Sequence, residues 1–178
     1  MPVAAFIGRF QPFHLGHKQV IDQYREDYEI VIVVGSASES RTEENPLSFE
    51  ERKELIHECY PGANIVPQRD YEKNDEGNQK WIEEVLEKTS ADVIISRNEL
   101  VKQIVEGRED VELLEQELEE PDMYSGTEIR RRIISGEEWR YLVPECAKEK
   151  LSGYLDRIKE SGKDYEFDPG WEPENAYN

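Results

Sequence analysis

Positive charge is scarce in this chain. Its 178 residues include 22 lysines and arginines against 41 aspartates and glutamates, so the formal net charge is −19. Nucleic acids and anionic membranes are bound through positive protein surfaces, and this balance argues against both as partners. An acidic protein also repels phosphate compounds at long range. A phosphate site would therefore have to be a local basic pocket, or a metal ion would have to neutralise the ligand.

Cysteines and long apolar runs are also scarce. Cys59 and Cys146 form neither a C-x-x-C pair nor a spacing with histidine that is typical of a metal site. The sequence leaves a disulfide between them open, and we expect free thiols in a reducing cytoplasm. Residues 1–7 lack the basic segment of a secretory signal, and no apolar run approaches the ~20 residues of a membrane helix. We therefore expect a soluble, cytoplasmic protein.

What the chain does contain is an alternation of apolar strands and helices. Four short apolar runs predict buried strands at residues 3–7, 30–34, 63–66 and 93–95. Helical spacing and capping residues predict helices at residues 15–27, 48–58, 81–88, 100–106, 125–135 and 144–159. This alternation predicts an α/β fold with a parallel sheet. Residues 111–118 stay ambiguous, because their acidity argues against a central strand.

The length of the chain suits one domain, which we place at residues 1–160. Residues 161–178 are polar and contain Pro169, Gly170 and Pro173. We expect them to form a C-terminal extension.

Residues 8–17, with the sequence GRFQPFHLGH, lie where the first strand ends and the first helix begins. In open α/β sheets, ligands bind outside the carboxyl ends of the strands, and a helix N-terminus there favours phosphate. His14 and His17 are three residues apart and can share a face, Arg9 adds a permanent charge, and Gly16 allows close approach to the backbone. Either histidine alone is most simply a surface residue. Clustered at this turn, these residues predict a phosphate site.

A second basic segment, YSGTEIRRR, spans residues 124–132. Ser125 and Thr127 offer hydroxyl donors at a helix start, and Arg130 follows about one helical turn later. This arrangement can bind a polyphosphate and stabilise a departing pyrophosphate. The alternative is a capped surface helix whose arginines pair with carboxylates, which we expect for Arg131 or Arg132.

Together the two segments resemble the archaeal-type nicotinamide-nucleotide adenylyltransferases. Residues 14–17, HLGH, match the H-x-G-H motif of the nucleotidylyltransferase superfamily, and residues 8–13 and 125–130 make the match more specific. The resemblance implies a Rossmann-like fold with helices on both faces of the sheet. It also implies transfer of an adenylyl group from ATP to nicotinamide mononucleotide, giving NAD and pyrophosphate. Mg²⁺ would be bound through the ATP phosphates rather than by protein ligands, and the chain could form a homo-oligomer.

The same resemblance implies the site residues. Those expected to act in catalysis are Arg9, His14, His17 and Arg130. Further contacts to ATP are expected from Gly8, Phe10, Gly16, Ser125 and Thr127. The acceptor is expected to contact Gly35, Ser36, Asn78, Trp81 and Asn98. Trp81 would stack on the nicotinamide ring, although a tryptophan at this spacing can equally be a core residue. Glu51 and Arg52 also lie in family-like positions, but they can be explained as stabilising their own helix.

Two segments depart from the family pattern. Residues 96–99 are SRNE where the family usually has SGNP, so Arg97 replaces a glycine beside the expected nucleotide. Residues 71–78 are longer and more acidic than in the family pattern. These departures leave two alternatives open. One is a related nucleotidyltransferase with another phosphorylated acceptor, namely phosphopantetheine, flavin mononucleotide or a polyol phosphate. The other is a non-catalytic nucleotide-binding regulator.

Overall fold

Five parallel strands form a single sheet in the computed structural model, which describes residues 1–115 and 124–162. The strands are β1 (Val3–Gly8), β2 (Glu29–Val34), β3 (Asn64–Pro67), β4 (Val93–Ile95) and β5 (Glu112–Leu113). Their order across the sheet is β3-β2-β1-β4-β5. The chain thus builds outward from β1 to β3 and then crosses back to the other side of β1. This reversal creates a crevice at the carboxyl ends of β1 and β4, where sheets of this kind bind ligands.

The described ranges contain seven α-helices, which pack on the sheet. They are α1 (Leu15–Tyr24), α2 (Phe49–Cys59), α3 (Asp75–Thr89), α4 (Glu99–Glu106), α5 (Gly126–Ser135), α6 (Glu145–Ser152) and α7 (Leu155–Ser161). A short 3₁₀ helix at Arg140–Leu142 precedes α6.

Alternate strand residues face two separate cores. Phe6 of β1 packs in a core with α1, α2, α5, α6 and α7, whereas its neighbour Ile7 packs with α3 and α4. The strand period of two sends successive side chains to opposite faces of the sheet. Helices therefore cover both faces, and the predicted Rossmann-like fold is confirmed.

The first helix, predicted at residues 15–27, ends at Tyr24, and three larger differences from the sequence predictions lie elsewhere. The helix predicted at residues 144–159 is two helices, because the first ends at Ser152 and the chain turns at Gly153 and Tyr154 before the second begins. The helix predicted from residue 81 begins at residue 75, since the Asn74 side chain accepts a hydrogen bond from the Gly77 amide at 2.7 Å and caps it. Part of the ambiguous segment forms the edge strand β5, and residues 116–123 lie outside the described residues.

Cys59 and Cys146 form a disulfide, so the expectation of free thiols was wrong. The packing of α2 against α6 brings these cysteines, 87 positions apart, to a Cα–Cα distance of 5.3 Å. That spacing is typical of disulfides. The bond joins the end of α2 to the start of α6 covalently.

None of the helices in the described ranges is both long and apolar enough to cross a membrane. The C-terminal extension predicted at residues 161–178 falls almost wholly outside the described residues, which end at residue 162.

Candidate active site

A cavity of about 1020 Å³ opens at the crevice where β1, β2 and β4 end. Its walls include residues at the carboxyl end of each strand: Gly8 and Arg9 at the end of β1, Gly35 and Ser36 after β2, and Arg97 after β4. The volume is at the upper end of the range for small-molecule sites, so it suits a ligand as large as a dinucleotide.

His14 and His17 line this cavity and together cap the start of α1. The Gly16 amide donates to His14 Nδ1 at 3.0 Å, and the His14 amide donates to His17 Nδ1 at 3.1 Å. The rings stack with their centroids 3.6 Å apart. Since each Nδ1 accepts a hydrogen bond, the proton of each neutral ring must be on Nε2. Each histidine therefore keeps one N–H donor for a ligand.

Both histidines are neutral near pH 7. Burial, with a smaller contribution from the positive charge of Arg97, lowers the pKa of His14 from 6.5 to about 3. Burial also lowers the pKa of His17 well below 6.5, assisted by repulsion from His14 when that ring is protonated and from Arg97. A phosphate group entering the cavity would meet neutral N–H donors at a helix N-terminus, where the helix dipole favours negative charge.

Gly16 is required by the packing of the turn. A Cβ atom at this position would lie 2.8 Å from Tyr124 Cβ and 2.9 Å from His14 Cε1. Contacts this short do not occur between carbon atoms, so any side chain here would displace the His14 ring.

The cavity is less acidic than the chain as a whole. Arg9, Lys73 and Arg97 lie in its walls together with the carboxylates of Glu39, Glu43, Glu44 and Asp70. Arg9 Nη1 lies 3.4 Å from Glu44 Oε2. These three cations and four carboxylates give the walls a formal charge of −1 within a chain of net charge −19. The cavity as a whole is therefore not the local basic pocket that one sequence condition asked for, and neutralisation of the ligand by a metal ion is the other condition.

The comparisons with known proteins match this geometry. The family model described as cytidylyltransferase-like matches residues 5–132. The nicotinamide-nucleotide adenylyltransferase of Methanolobus tindarius is 36% identical over 174 residues, covering 91% of this chain and 97% of the relative. That of Halobacterium salinarum is 34% identical over 149 residues, covering 83% of this chain and 84% of the relative. The chain belongs to the nicotinamide-nucleotide adenylyltransferase family. The resemblance inferred from the sequence and the predicted enzyme class are both confirmed.

Solved structures support the fold of this adenylyltransferase family member. A bifunctional NMN adenylyltransferase/ADP ribose pyrophosphatase from Francisella tularensis aligns with a TM-score of 0.75 at 20% identity, covering 93% of this chain and 54% of that chain. The same protein complexed with AMP and a manganese ion aligns with a TM-score of 0.72 at 19% identity, covering 93% and 53%. This chain thus spans about half the length of those two.

The residues predicted to contact the acceptor in this adenylyltransferase family member all line the cavity. They are Gly35, Ser36, Asn78, Trp81 and Asn98. Trp81 is half-buried and packs at the edge of the core between the sheet and α3–α4, so it is both a core aromatic and a cavity residue. Asn98 caps α4 by accepting from the Val101 amide at 3.2 Å. The Ser36 hydroxyl donates to Asp70 at 3.0 Å.

Four of the predicted ATP residues are buried beside the cavity rather than lining it: Phe10, Ser125, Thr127 and Arg130. Phe10 packs against the His17 ring with centroids 4.5 Å apart. Arg130 Nη1 donates to the Gln11 carbonyl at 2.7 Å and so ties α5 to the turn after β1. The other predicted ATP residues, Gly8, Arg9, His14, Gly16 and His17, lie in the cavity wall. The assignment of both groups as ATP contacts stays a prediction.

Arg131 and Arg132 take the expected structural role. Both guanidinium groups pair with Glu128, at 2.7 and 3.0 Å, and Arg131 also pairs with Glu137 at 2.6 Å.

Arg52 holds the walls of the site together, whereas the sequence analysis explained it as stabilising its own helix. It is fully buried, and its guanidinium donates to the carbonyls of Arg9 at 2.9 Å, Gly35 at 2.8 Å and Ser36 at 3.1 Å. Its Nε also donates to the Ser48 carbonyl at 3.2 Å. One side chain therefore fixes the two loops that follow β1 and β2, and its role extends far beyond its own helix.

Glu51 likewise connects separate elements. It forms the predicted capping box with Ser48, and its carboxylate also pairs with Arg41 at 2.6 Å and Arg157 at 2.5 Å. Arg41 precedes the cavity residues 42–45, and Arg157 lies in α7. Glu51 thus joins the start of α2 to a cavity wall and to the last described helix.

Proposed function

We propose that the protein transfers the adenylyl group of ATP to nicotinamide mononucleotide, releasing pyrophosphate and forming NAD. The observation that carries this proposal is the pair of neutral histidines capping α1 inside the cavity at the crevice of the sheet. The relatives that share this chain's length carry the same activity in their names.

The chemistry needs positioning and charge stabilisation rather than a covalent intermediate. A phosphate oxygen of the acceptor attacks the α-phosphorus of ATP, and the bond from that phosphorus to the bridging oxygen of pyrophosphate breaks. Negative charge builds on the oxygens around the α-phosphorus. The Nε2–H groups of His14 and His17 and the N-terminus of α1 are fixed donors for that charge. Arg9 and Arg97 add full positive charges from the neighbouring strand ends.

A divalent ion fits this site as a partner of the nucleotide. Among residues 1–115 and 124–162, no three histidines, cysteines or carboxylates come together as a ligand set. We propose that Mg²⁺ is carried by the ATP phosphates and neutralises their charge. The acidic walls near Glu43, Glu44 and Asp70 are compatible with a cation held between ligand and protein.

Three further expectations belong to this proposal. Residues 1–160 would form the catalytic domain with an extension after it, the enzyme would act in the cytoplasm, and it could assemble from identical subunits. Light scattering on the purified chain, with and without residues 163–178, tests the assembly and the role of the extension.

The direct test is pyrophosphate release from ATP and Mg²⁺ with a panel of acceptors, at low and molar salt. The panel contains nicotinamide mononucleotide, nicotinic acid mononucleotide, phosphopantetheine and flavin mononucleotide. We expect release with the pyridine mononucleotides, with NAD or its acid analogue as product. Release only with another acceptor would contradict the proposal while keeping the class of reaction. No release with any acceptor, despite ATP binding, would favour a non-catalytic nucleotide binder.

Replacing Trp81 by alanine should weaken binding of nicotinamide mononucleotide more than binding of ATP. Stacking on an aromatic side chain contributes ~1–3 kcal/mol per base, so the loss for the acceptor should be roughly tenfold. Titration calorimetry with each ligand separately measures both affinities. Trp81→Phe is the matched control, because it keeps an aromatic face and should retain most of the acceptor affinity. Equal losses for both ligands in Trp81→Ala would remove Trp81 from the acceptor site.

A further inference from the structure

Arg97 lies beside the H-x-G-H turn although it follows a different strand. It lines the same cavity wall region as His14, Gly16 and His17. Its Nη1 donates to the Tyr124 carbonyl at 3.3 Å, and Tyr124 in turn covers Gly16. The guanidinium is therefore held between the end of β4 and the start of α1, where the two histidines present their N–H groups.

The electrostatics of the histidines agree with this placement. The positive charge of Arg97 contributes to lowering the pKa of both His14 and His17. Two N–H donors and a helix N-terminus do not stabilise a neighbouring cation, because all of them carry positive potential. An anion placed among them would interact favourably with every one.

Arg9 is the other arginine of the cavity, and it pairs with an acid. Its Nη1 lies 3.4 Å from Glu44 Oε2. The carboxylates of Glu39, Glu43 and Asp70 also line the cavity and oppose an entering polyphosphate. A second fixed guanidinium at the histidine side would offset this repulsion where the phosphates must lie.

We propose that Arg97 is a binding residue for the phosphates of the donor nucleotide, acting with His14 and His17. This proposal rests on the proposed function only for the identity of the donor as ATP. If it holds, the difference from the family at residues 96–99 adds a contact to phosphate and does not change the acceptor.

The test compares ATP and adenosine binding to Arg97→Gln in the presence of Mg²⁺. Hydrogen bonds to charged groups contribute ~1.5–3 kcal/mol, so ATP affinity should fall at least about tenfold. Adenosine, measured by ligand-observed NMR at millimolar concentration, should bind within about twofold of the original protein. Arg97→Lys should retain part of the ATP affinity. Arg140→Gln, which removes an exposed arginine outside the cavity, controls for the change in net charge and should leave both affinities unchanged.

Equal losses for ATP and adenosine would overturn the proposal, since they would indicate a nucleoside contact or a general distortion through Tyr124. Unchanged ATP affinity would overturn it as well. Failure of the proposed function would look different from failure of the Arg97 proposal. No NAD would form, but Arg97→Gln would still weaken ATP binding more than adenosine binding. If NAD forms and Arg97→Gln binds ATP normally, the proposal for Arg97 alone is wrong.

Discussion

Replacing His17 by alanine is expected to lower kcat by at least ~100-fold while the chain stays folded. The Nε2–H of His17 is a fixed donor inside a buried site, and loss of one such donor at developing transition-state charge typically slows chemistry by that factor. Because the contact strengthens in the transition state, kcat and kcat/KM should fall together. Steady-state rates of pyrophosphate release with saturating ATP and acceptor measure the effect. Rates like those of the original enzyme would remove His17 from the catalytic machinery.

The capping role of the histidines needs a separate control, because alanine removes both functions. His17→Gln places a residue at the third helical position that can still accept from the His14 amide, as in an ordinary capping box. His14→Asn keeps a favourable N-cap whose side chain can accept from the helix amides. Both variants should unfold within ~1 kcal/mol of the original protein and still lose activity as His17→Ala does. If His17→Gln kept full activity, the imidazole would serve only the helix.

The parts of this fold that the sequence predicted are those determined by local pattern. The runs at residues 30–34 and 93–95 are apolar on both faces, and such runs form central strands with few alternatives. The H-x-G-H turn was placed correctly because strand, glycine and helix start are adjacent along the chain. The capping box at Ser48 was also a local signal, confirmed by its two reciprocal hydrogen bonds.

The parts that the sequence did not predict depend on contacts between distant segments. Nothing near Cys59 indicates that α6 will pack beside α2 and bring Cys146 within bonding distance. Arg97 was noticed as a departure from the family, but its position beside Tyr124 arises from the meeting of β4 and the start of α5. Arg52 looked like a helix residue, and only the folded loops after β1 and β2 supply its carbonyl partners. In the sequence, a single arginine among polar helix residues does not indicate that carbonyl groups from distant loops will surround it.

Arg52 is expected to contribute strongly to stability, and Arg52→Met should lower the free energy of unfolding by about 3 kcal/mol. Burial opposes the charge, since it lowers the pKa of Arg52 from 12.5 to about 10, and the variant recovers that desolvation. Against this, four hydrogen bonds from a charged donor are lost, each of ~1.5–3 kcal/mol. Methionine replaces none of them, and only the Ser36 and Ser48 carbonyls keep a backbone N–H donor. The hydrogen bonds outweigh the recovered desolvation. Urea denaturation with the disulfide kept oxidised measures the difference.

The neighbouring Lys53→Met is the matched control, because it removes a cation from the same helix that is only half-buried. A surface change of this kind should alter stability by at most ~0.5 kcal/mol. Arg52→Met should also reduce kcat, since the carbonyls of Arg9 and Gly35 belong to the loops that line the cavity. Arg52→Lys distinguishes charge from geometry: an ammonium keeps the charge but cannot reach both loops in the planar arrangement of a guanidinium. If the Arg52→Lys variant matched the original protein in both stability and rate, charge alone would hold the loops. If it matched in neither, the walls of the site would be positioned by the several hydrogen bonds that the planar guanidinium donates.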